Sequence, residues 1–213
     1  YLFCRKRGEP VSEAVFVTGL LYALILPPTV PWHVVVTGIV FAIVFSKEVF
    51  GGFGRNVFNP ALAGRCFVYI CFPVAMTGQW APVAQGFWGA LNRWTTGVPE
   101  AITGATPMAL MKTGEYIPSA SDLFYRLFLG RIDGTMGVTS ALLILIGGIY
   151  LYYTKTANRR LILVMILGYA ILNQGFYLLG VGHIPPALPA VLGGGFLFGA
   201  FFMATDPVSS PST

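Results

Sequence analysis

The chain has long apolar stretches and very few charged residues, and this shortage of charge limits the folds that it can adopt. Only 10% of its 213 residues are Asp, Glu, Lys or Arg, whereas soluble domains contain roughly 25%. A soluble fold needs more polar side chains than this to cover its surface. The abundance of Leu, Ile, Val and Phe excludes a disordered chain. The composition therefore predicts a polytopic membrane protein.

Six apolar stretches are interpreted as helices. They are 14–30, 32–46, 66–80, 138–153, 161–181 and 187–204. Prolines or glycines interrupt several of them, at Pro27-Pro28, Pro73, Gly147-Gly148 and 193–195. Strands are not expected because the stretches lack period-2 alternation and an open sheet edge cannot lie in lipid. Broken helices are tolerated where they line a buried site. We expect an all-α fold in which residues 1–213 form one transmembrane domain with about six helical segments, several of them broken.

The basic residues predict the orientation of the chain. Of the 13 Lys and Arg residues, nine lie in one set of loops and four in the opposite set. Because Lys and Arg accumulate in cytoplasmic loops, we expect the N-terminus of this chain and the loops 47–65 and 155–160 to be cytoplasmic. The long segment 81–137 then lies on the periplasmic side of a bacterial inner membrane. Charges spread over several loops also argue against nucleic acid as a partner.

The densest motif is the stretch 47–61, which lies between two apolar stretches. Its glycines Gly51, Gly52 and Gly54 allow positive φ angles and a close approach of the backbone to a ligand. Asn56 and Asn59 are three positions apart and face one way on a turn or short helix. Their amides donate and accept hydrogen bonds, which suits the edge of a flavin or quinone ring. Without further context, the residues favour a tight turn with solvated amides.

A second motif lies in the long segment 81–137. Thr103, Gly104, Ala105 and Thr106 precede a proline, and the two small residues leave space beside the Thr106 hydroxyl. A common small-residue turn would explain this motif equally well.

Two acidic residues stand at the ends of apolar stretches. Glu48 follows the second stretch and Asp206 follows the sixth. An acid at the end of a membrane helix is a functional candidate by default, so we expect Glu48 and Asp206 beside an ion path. The alternative for Asp206 is an interfacial acid next to Pro207.

Together with the stretch 16–29, these motifs resemble the NqrB/RnfD family over nearly the whole chain. Members of this family are membrane subunits of sodium-pumping NADH:quinone reductase and of ferredoxin:NAD oxidoreductase. The resemblance implies that the chain is the middle part of a subunit with roughly ten helices. It leaves open which of the two branches the chain represents.

The resemblance implies FMN joined to Thr106 through a phosphoester, with Glu100 where the family usually has Asp. It implies an electron relay through this flavin, sodium transport, and riboflavin or quinone binding by the stretch around Asn56 and Asn59. The implied partners are other membrane subunits, a flavin transferase and membrane lipid. The NADH or ferredoxin site is expected on a partner because the chain shows no dinucleotide-binding βαβ motif. No catalytic residue and no metal site are assigned to this chain.

Two other classes of protein remain as alternatives. Broken helices also suit a solute channel or transporter without flavin, and a scaffold subunit would only anchor partners. The co-occurrence of the 51–60 and 103–107 motifs in family order favours the flavoprotein subunit.

Overall fold

The computed structural model is helical throughout the part of the chain that it describes, and no β-strand occurs in that part. The described residues are 2–8, 12–78, 80, 120–132, 134–182, 184–193 and 195–210. Ten α-helices and two π-helical segments lie among them. They are α1 (Leu2–Arg7), α2 (Ala14–Leu24), α3 (Trp32–Ile43), π1 (Val44–Glu48), α4 (Pro60–Cys71), α5 (Pro73–Thr77), α6 (Ala120–Leu129), α7 (Ala141–Tyr153), α8 (Arg159–Leu178), α9 (Ala187–Leu192), α10 (Phe196–Phe198) and π2 (Gly199–Met203).

The outer surface of the helices is apolar. Among the described residues, α8 is the one helix that is long and apolar enough to cross a membrane, and only 6% of its most apolar window is buried inside the molecule. Three further apolar helices, α2, α4 and α7, are shorter. Large side chains such as Val164, Ile171 and Leu178 on α8 are exposed. Apolar surface of this extent needs a lipid or protein cover, and the prediction of an all-α membrane protein is confirmed.

Small residues allow α2, α3 and α4 to pack closely. A Cβ added to Gly64 of α4 would lie 2.8 Å from Ala42 Cβ and 2.9 Å from Gly38 O, both on α3. Gly38 itself lies against Tyr22 of α2, whose side chain is buried. The three helices therefore pack against one another as the core of the N-terminal half of the chain.

The third apolar stretch was predicted to begin at Cys66, and its helix begins earlier than that. The side chain of Asn59 accepts hydrogen bonds from Ala61 N (3.0 Å) and Leu62 N (3.3 Å), and Pro60 occupies the first helical position. Asn at the N-cap followed by Pro is a strong start signal for a helix. Hydropathy alone missed this start because Gly64 and Arg65 interrupt the apolar run just before Cys66.

The Gly147-Gly148 pair does not interrupt its helix, so this part of the prediction is wrong. Helix α7 runs through both glycines without a break. A Cβ on Gly148 would lie 2.5 Å from the Phe201 ring, and one on Gly147 would lie 3.0 Å from Phe202 Cζ. Because neither glycine has a side chain, Phe201 and Phe202 of π2 can pack directly against the backbone of α7.

The last apolar stretch is broken, as predicted. Its helix ends at Leu192 and resumes at Phe196, and Gly195 between them has φ +79°. A Cβ on Gly195 would lie 2.8 Å from Val138 Cγ1. Because a side chain here would be both strained and crowded, glycine is required at the break.

The connections between helices lie at two ends of the molecule. At one end, which we call the proline end, Gly137 N donates to Leu24 O (2.7 Å) and Gln174 Oε1 accepts from Ala187 N (3.2 Å). Helix α6 packs against α7 and α9 there. The other end, which we call the cavity end, contains α1, the loop 49–59, the connection 154–158 and the segment 204–210.

Candidate functional site

A cavity of about 330 Å³ lies at the cavity end. Its walls come from α2, π1 and the following loop, the start of α4, the connection between α7 and α8, and the segment after π2. Phe53 and Phe202 contribute apolar wall, and Lys47, Asn56 and Asp206 contribute polar groups. The volume lies within the range of about 300–1,000 Å³ that small-molecule sites occupy. The cavity thus joins two parts of the chain that are far apart in sequence.

The glycines of the loop shape the cavity without lining it. Gly51, Gly52 and Gly54 have φ angles of +112°, +94° and +86°, which only glycine adopts without strain. The turn is closed by hydrogen bonds from Gly51 N to Glu48 O (3.2 Å) and from Gly52 N to Lys47 O (3.0 Å). Positive φ angles were predicted for these residues, and the turn brings Phe53 and Asn56 to the cavity wall.

Asn56 and Asn59 both line the cavity, but their amides are used differently. Asn56 Nδ2 donates to Phe58 O (3.2 Å), and among the described residues its amide oxygen accepts no hydrogen bond. The amide oxygen of Asn59 caps α4, and its Nδ2 donates to Met203 O (3.4 Å). Asn59 therefore fixes the cavity wall, while Asn56 retains an acceptor. Their role as ligand contacts stays a prediction.

Lys47 lines the cavity, although sequence reasoning assigned it no role in a site and counted it only among the motif and the cytoplasmic charges. It lies in π1, is 3% exposed, and its Nζ has no hydrogen-bond partner among the described residues. The ammonium stands 5.4 Å from the centre of the Phe53 ring. The signal that could have found it is the one applied to Glu48 and Asp206, an ionisable residue at the end of an apolar stretch.

Glu48 points away from the cavity lining and forms an ion pair with Arg7 of α1. Arg7 Nη1 also donates to the backbone oxygen of Glu48 (2.9 Å). Glu48 is 7% exposed, so the pair joins the first helix to the buried end of π1. Sequence reasoning missed Arg7 because its partner lies 41 positions along the chain.

Asp206 lines the cavity just after π2. Its carboxylate accepts hydrogen bonds from Val208 N (3.3 Å) and from Ser209 Oγ (2.7 Å), which closes a turn. Both acidic candidates thus lie at or just after the end of a π-helical segment. π-helical turns occur frequently at functional sites. The structure does not bring Glu48 and Asp206 into one hydrogen-bonded cluster among the described residues.

The predicted flavin motif at Thr103, Gly104, Ala105 and Thr106 lies outside the described residues, as does Glu100. Their assignments stay predictions that rest on the sequence.

Comparison with protein families gives a match over the whole chain. Residues 1–213 match the model of the NQR2, RnfD, RnfE family. The chain belongs to this family. The resemblance that the motifs indicated is thereby confirmed over the full length of the chain.

Three similar relatives carry the same name. A Na(+)-translocating NADH-quinone reductase subunit from Azotobacter vinelandii is 39% identical over 100% of this chain and 51% of the relative. The subunit of the same name from Ectopseudomonas mendocina is 40% identical over 100% of this chain and 51% of the relative. The subunit of that name from Klebsiella pneumoniae is 39% identical over 100% of this chain and 50% of the relative. The chain spans about half the length of these curated relatives.

Proposed function

We propose that the chain is part of a membrane subunit of an ion-translocating electron-transport complex, of the NADH:quinone or ferredoxin:NAD oxidoreductase type. The observation that supports this most directly is the family match over the whole chain, together with the shared name of its relatives. The enzymatic role is that of an electron relay. The site that oxidises NADH or reduced ferredoxin belongs to a partner subunit.

FMN attached to Thr106 is the first carrier of the proposed relay. The support is the 103–106 motif, in which small residues precede the acceptor threonine. A bound flavin supplies one-electron and two-electron redox chemistry, and the surrounding protein tunes it through hydrogen bonds and charge. A covalent link holds the flavin at a fixed local concentration.

The cavity at the cavity end is the proposed site of a second carrier, riboflavin or a quinone. The wall fits a flat ring with carbonyl groups, because Phe53 and Phe202 give it apolar surfaces. The Asn56 amide oxygen is free to accept a hydrogen bond, and the Lys47 ammonium has no hydrogen-bond partner among the described residues and can donate one to a ligand. The turn at Gly51, Gly52 and Gly54 and the cap formed by Asn59 hold these groups in place.

Ion translocation is proposed to involve Glu48 and Asp206, with sodium as the expected ion. Each acid lies at or just after the end of a π-helical segment, and π2 adjoins a broken helix. Segments of this kind can adopt two arrangements, and a change of charge at a nearby carrier would bias them between the two.

The proposed location is the bacterial inner membrane, in contact with lipid, other membrane subunits and a flavin transferase. The N-terminus and the cavity end are proposed to face the cytoplasm, and the segment 81–137 the periplasm, because the basic residues favour this orientation.

Attachment of flavin to Thr106 is tested on the full-length subunit, co-expressed with its flavin transferase. Under ultraviolet light on a denaturing gel, the wild type and Thr113→Val should fluoresce, and Thr106→Val should be dark. Intact-mass measurement should show the mass of FMN in the fluorescent proteins alone. Thr113→Val is the matched control because it makes the same change in the same segment, outside the motif.

Two results would contradict the proposal. A fluorescent Thr106→Val band would place the flavin elsewhere. A dark wild-type band in the presence of an active transferase would favour the channel or the scaffold.

A further inference from the structure

Lys47 is a buried cation that faces a cavity and has no hydrogen-bond partner among the described residues. Its side chain is 3% exposed, and its Nζ is buried. An ammonium buried without a hydrogen-bond acceptor is costly in free energy. A bound ligand that accepts a hydrogen bond from the ammonium would remove this cost.

The carboxylates near Lys47 are already engaged. Glu48 forms its ion pair with Arg7, and the Asp206 oxygens accept from Val208 N and Ser209 Oγ. Both acids attract the ammonium electrostatically, but neither forms a hydrogen bond with it among the described residues. The donor capacity of Lys47 therefore stays available to an occupant of the cavity.

The π-helical segment carries two neighbouring side chains that lie in different surroundings. Val49 N donates to Val44 O (2.9 Å), five residues back, which is the hydrogen bond of a π-helical turn. Lys47 lines the cavity, while Glu48, the next residue, pairs with Arg7 of α1.

The charges on the wall also restrict the chemistry of the occupant. Lys47 and Asp206 are one cation and one anion on the same cavity, so a permanent anion gains from one and is repelled by the other. A neutral ring with an electron-rich carbonyl oxygen avoids this conflict. It can accept from Lys47 and lay its faces against Phe53 and Phe202.

We propose that Lys47 is a ligand-binding residue whose ammonium donates a hydrogen bond to a ring carbonyl oxygen of a neutral heterocycle in the cavity. This inference rests on the second carrier of the proposed function. Because a cation attracts an oxygen more strongly when that oxygen becomes more negative, Lys47 binds the reduced form of the ring more tightly than the oxidised form. The protein thereby raises the reduction potential of the occupant.

The test uses the purified complex containing the full-length subunit, with riboflavin as the probe. Lys47→Met removes the charge and the donor at nearly constant length, and Lys47→Arg retains both. Lys155→Met makes the first change at an exposed lysine in a loop of the same end. Affinity is measured by quenching of riboflavin fluorescence, and the midpoint potential of bound riboflavin by reductive titration.

A charge-assisted hydrogen bond makes a difference of about tenfold or more in affinity. Lys47→Met should weaken riboflavin binding by at least this factor, whereas Lys47→Arg and Lys155→Met should bind nearly as the wild type does. The midpoint potential should fall in Lys47→Met, by about 30 mV for each tenfold loss of preference for the two-electron reduced form. If Lys47→Met aggregates, Lys47→Gln replaces it. Gln is a neutral hydrogen-bond donor, so this variant should still bind riboflavin, and the midpoint potential of the bound riboflavin should be lower than in the wild type.

The possible failures are distinguishable. If the wild type and the folded Lys47 variants have equal affinity for riboflavin and equal midpoint potentials, the proposed role of Lys47 is wrong. The second carrier of the proposed function would not be affected by that result. A wild-type complex that binds neither riboflavin nor a short-chain quinone would overturn the second carrier, and this inference with it.

Discussion

The role of Gly148 in helix packing differs from the one that the sequence predicted. The Gly147-Gly148 pair indicated a break, but α7 continues, and the absent side chain admits the Phe201 ring. Gly148→Ala should therefore lower the midpoint of thermal unfolding in detergent, because overpacking costs about 1–3 kcal/mol. Gly168→Ala on α8 is the matched control, since a Cβ there meets nothing within 4 Å. Equal midpoints for the two variants would refute the contact.

At the scale of elements, the first helix is joined to π1 by the pair Arg7–Glu48. Losing a hydrogen-bonded contact worth about 1 kcal/mol raises an opening equilibrium about fivefold. Arg7→Ala and Glu48→Gln should each increase the rate at which a maleimide labels Cys4 of α1, with Cys66 and Cys71 replaced by serine. Arg5→Ala, at an exposed position on the same helix, should leave the rate unchanged. An unaltered rate in Arg7→Ala would show that α1 docks without this pair.

The elements also show where sequence reasoning reached its limit. The apolar stretches predicted the apolar helices α2, α3, α4, α7, α8, α9 and α10. They could do so because side chains that face lipid and side chains that face the protein core are both apolar. The break at Gly195 followed from composition, whereas π1 and π2 did not. A π-helical turn depends on which side chains the neighbouring elements accept, and local propensity does not report that. The start of α4 was readable in Asn59-Pro60, a capping signal that hydropathy ignores.

At the scale of the whole molecule, the candidate site exists only because distant segments meet. Asn59 Nδ2 bonds to Met203 O across 144 positions, and the cavity wall needs both parts. Sequence reasoning predicted Asn56 and Asn59 as a pair of ligand contacts and Asp206 as a separate acidic candidate. It could not predict that Asp206 and Lys47 line the same cavity as this pair, because such contacts depend on packing between the two halves of the chain.

The two ends of the molecule provide the last prediction, which concerns orientation. Val57 in the loop after π1 and Val181 after α8 are both exposed, at the cavity end and at the proline end. In a subunit without native cysteines, Val57→Cys should react with a membrane-impermeant maleimide only in inverted vesicles, because basic loops are retained in the cytoplasm. Val181→Cys should react only in right-side-out spheroplasts. The reverse pattern would overturn the proposed orientation, and labelling of both positions from one side would contradict the separation of the two ends across a membrane.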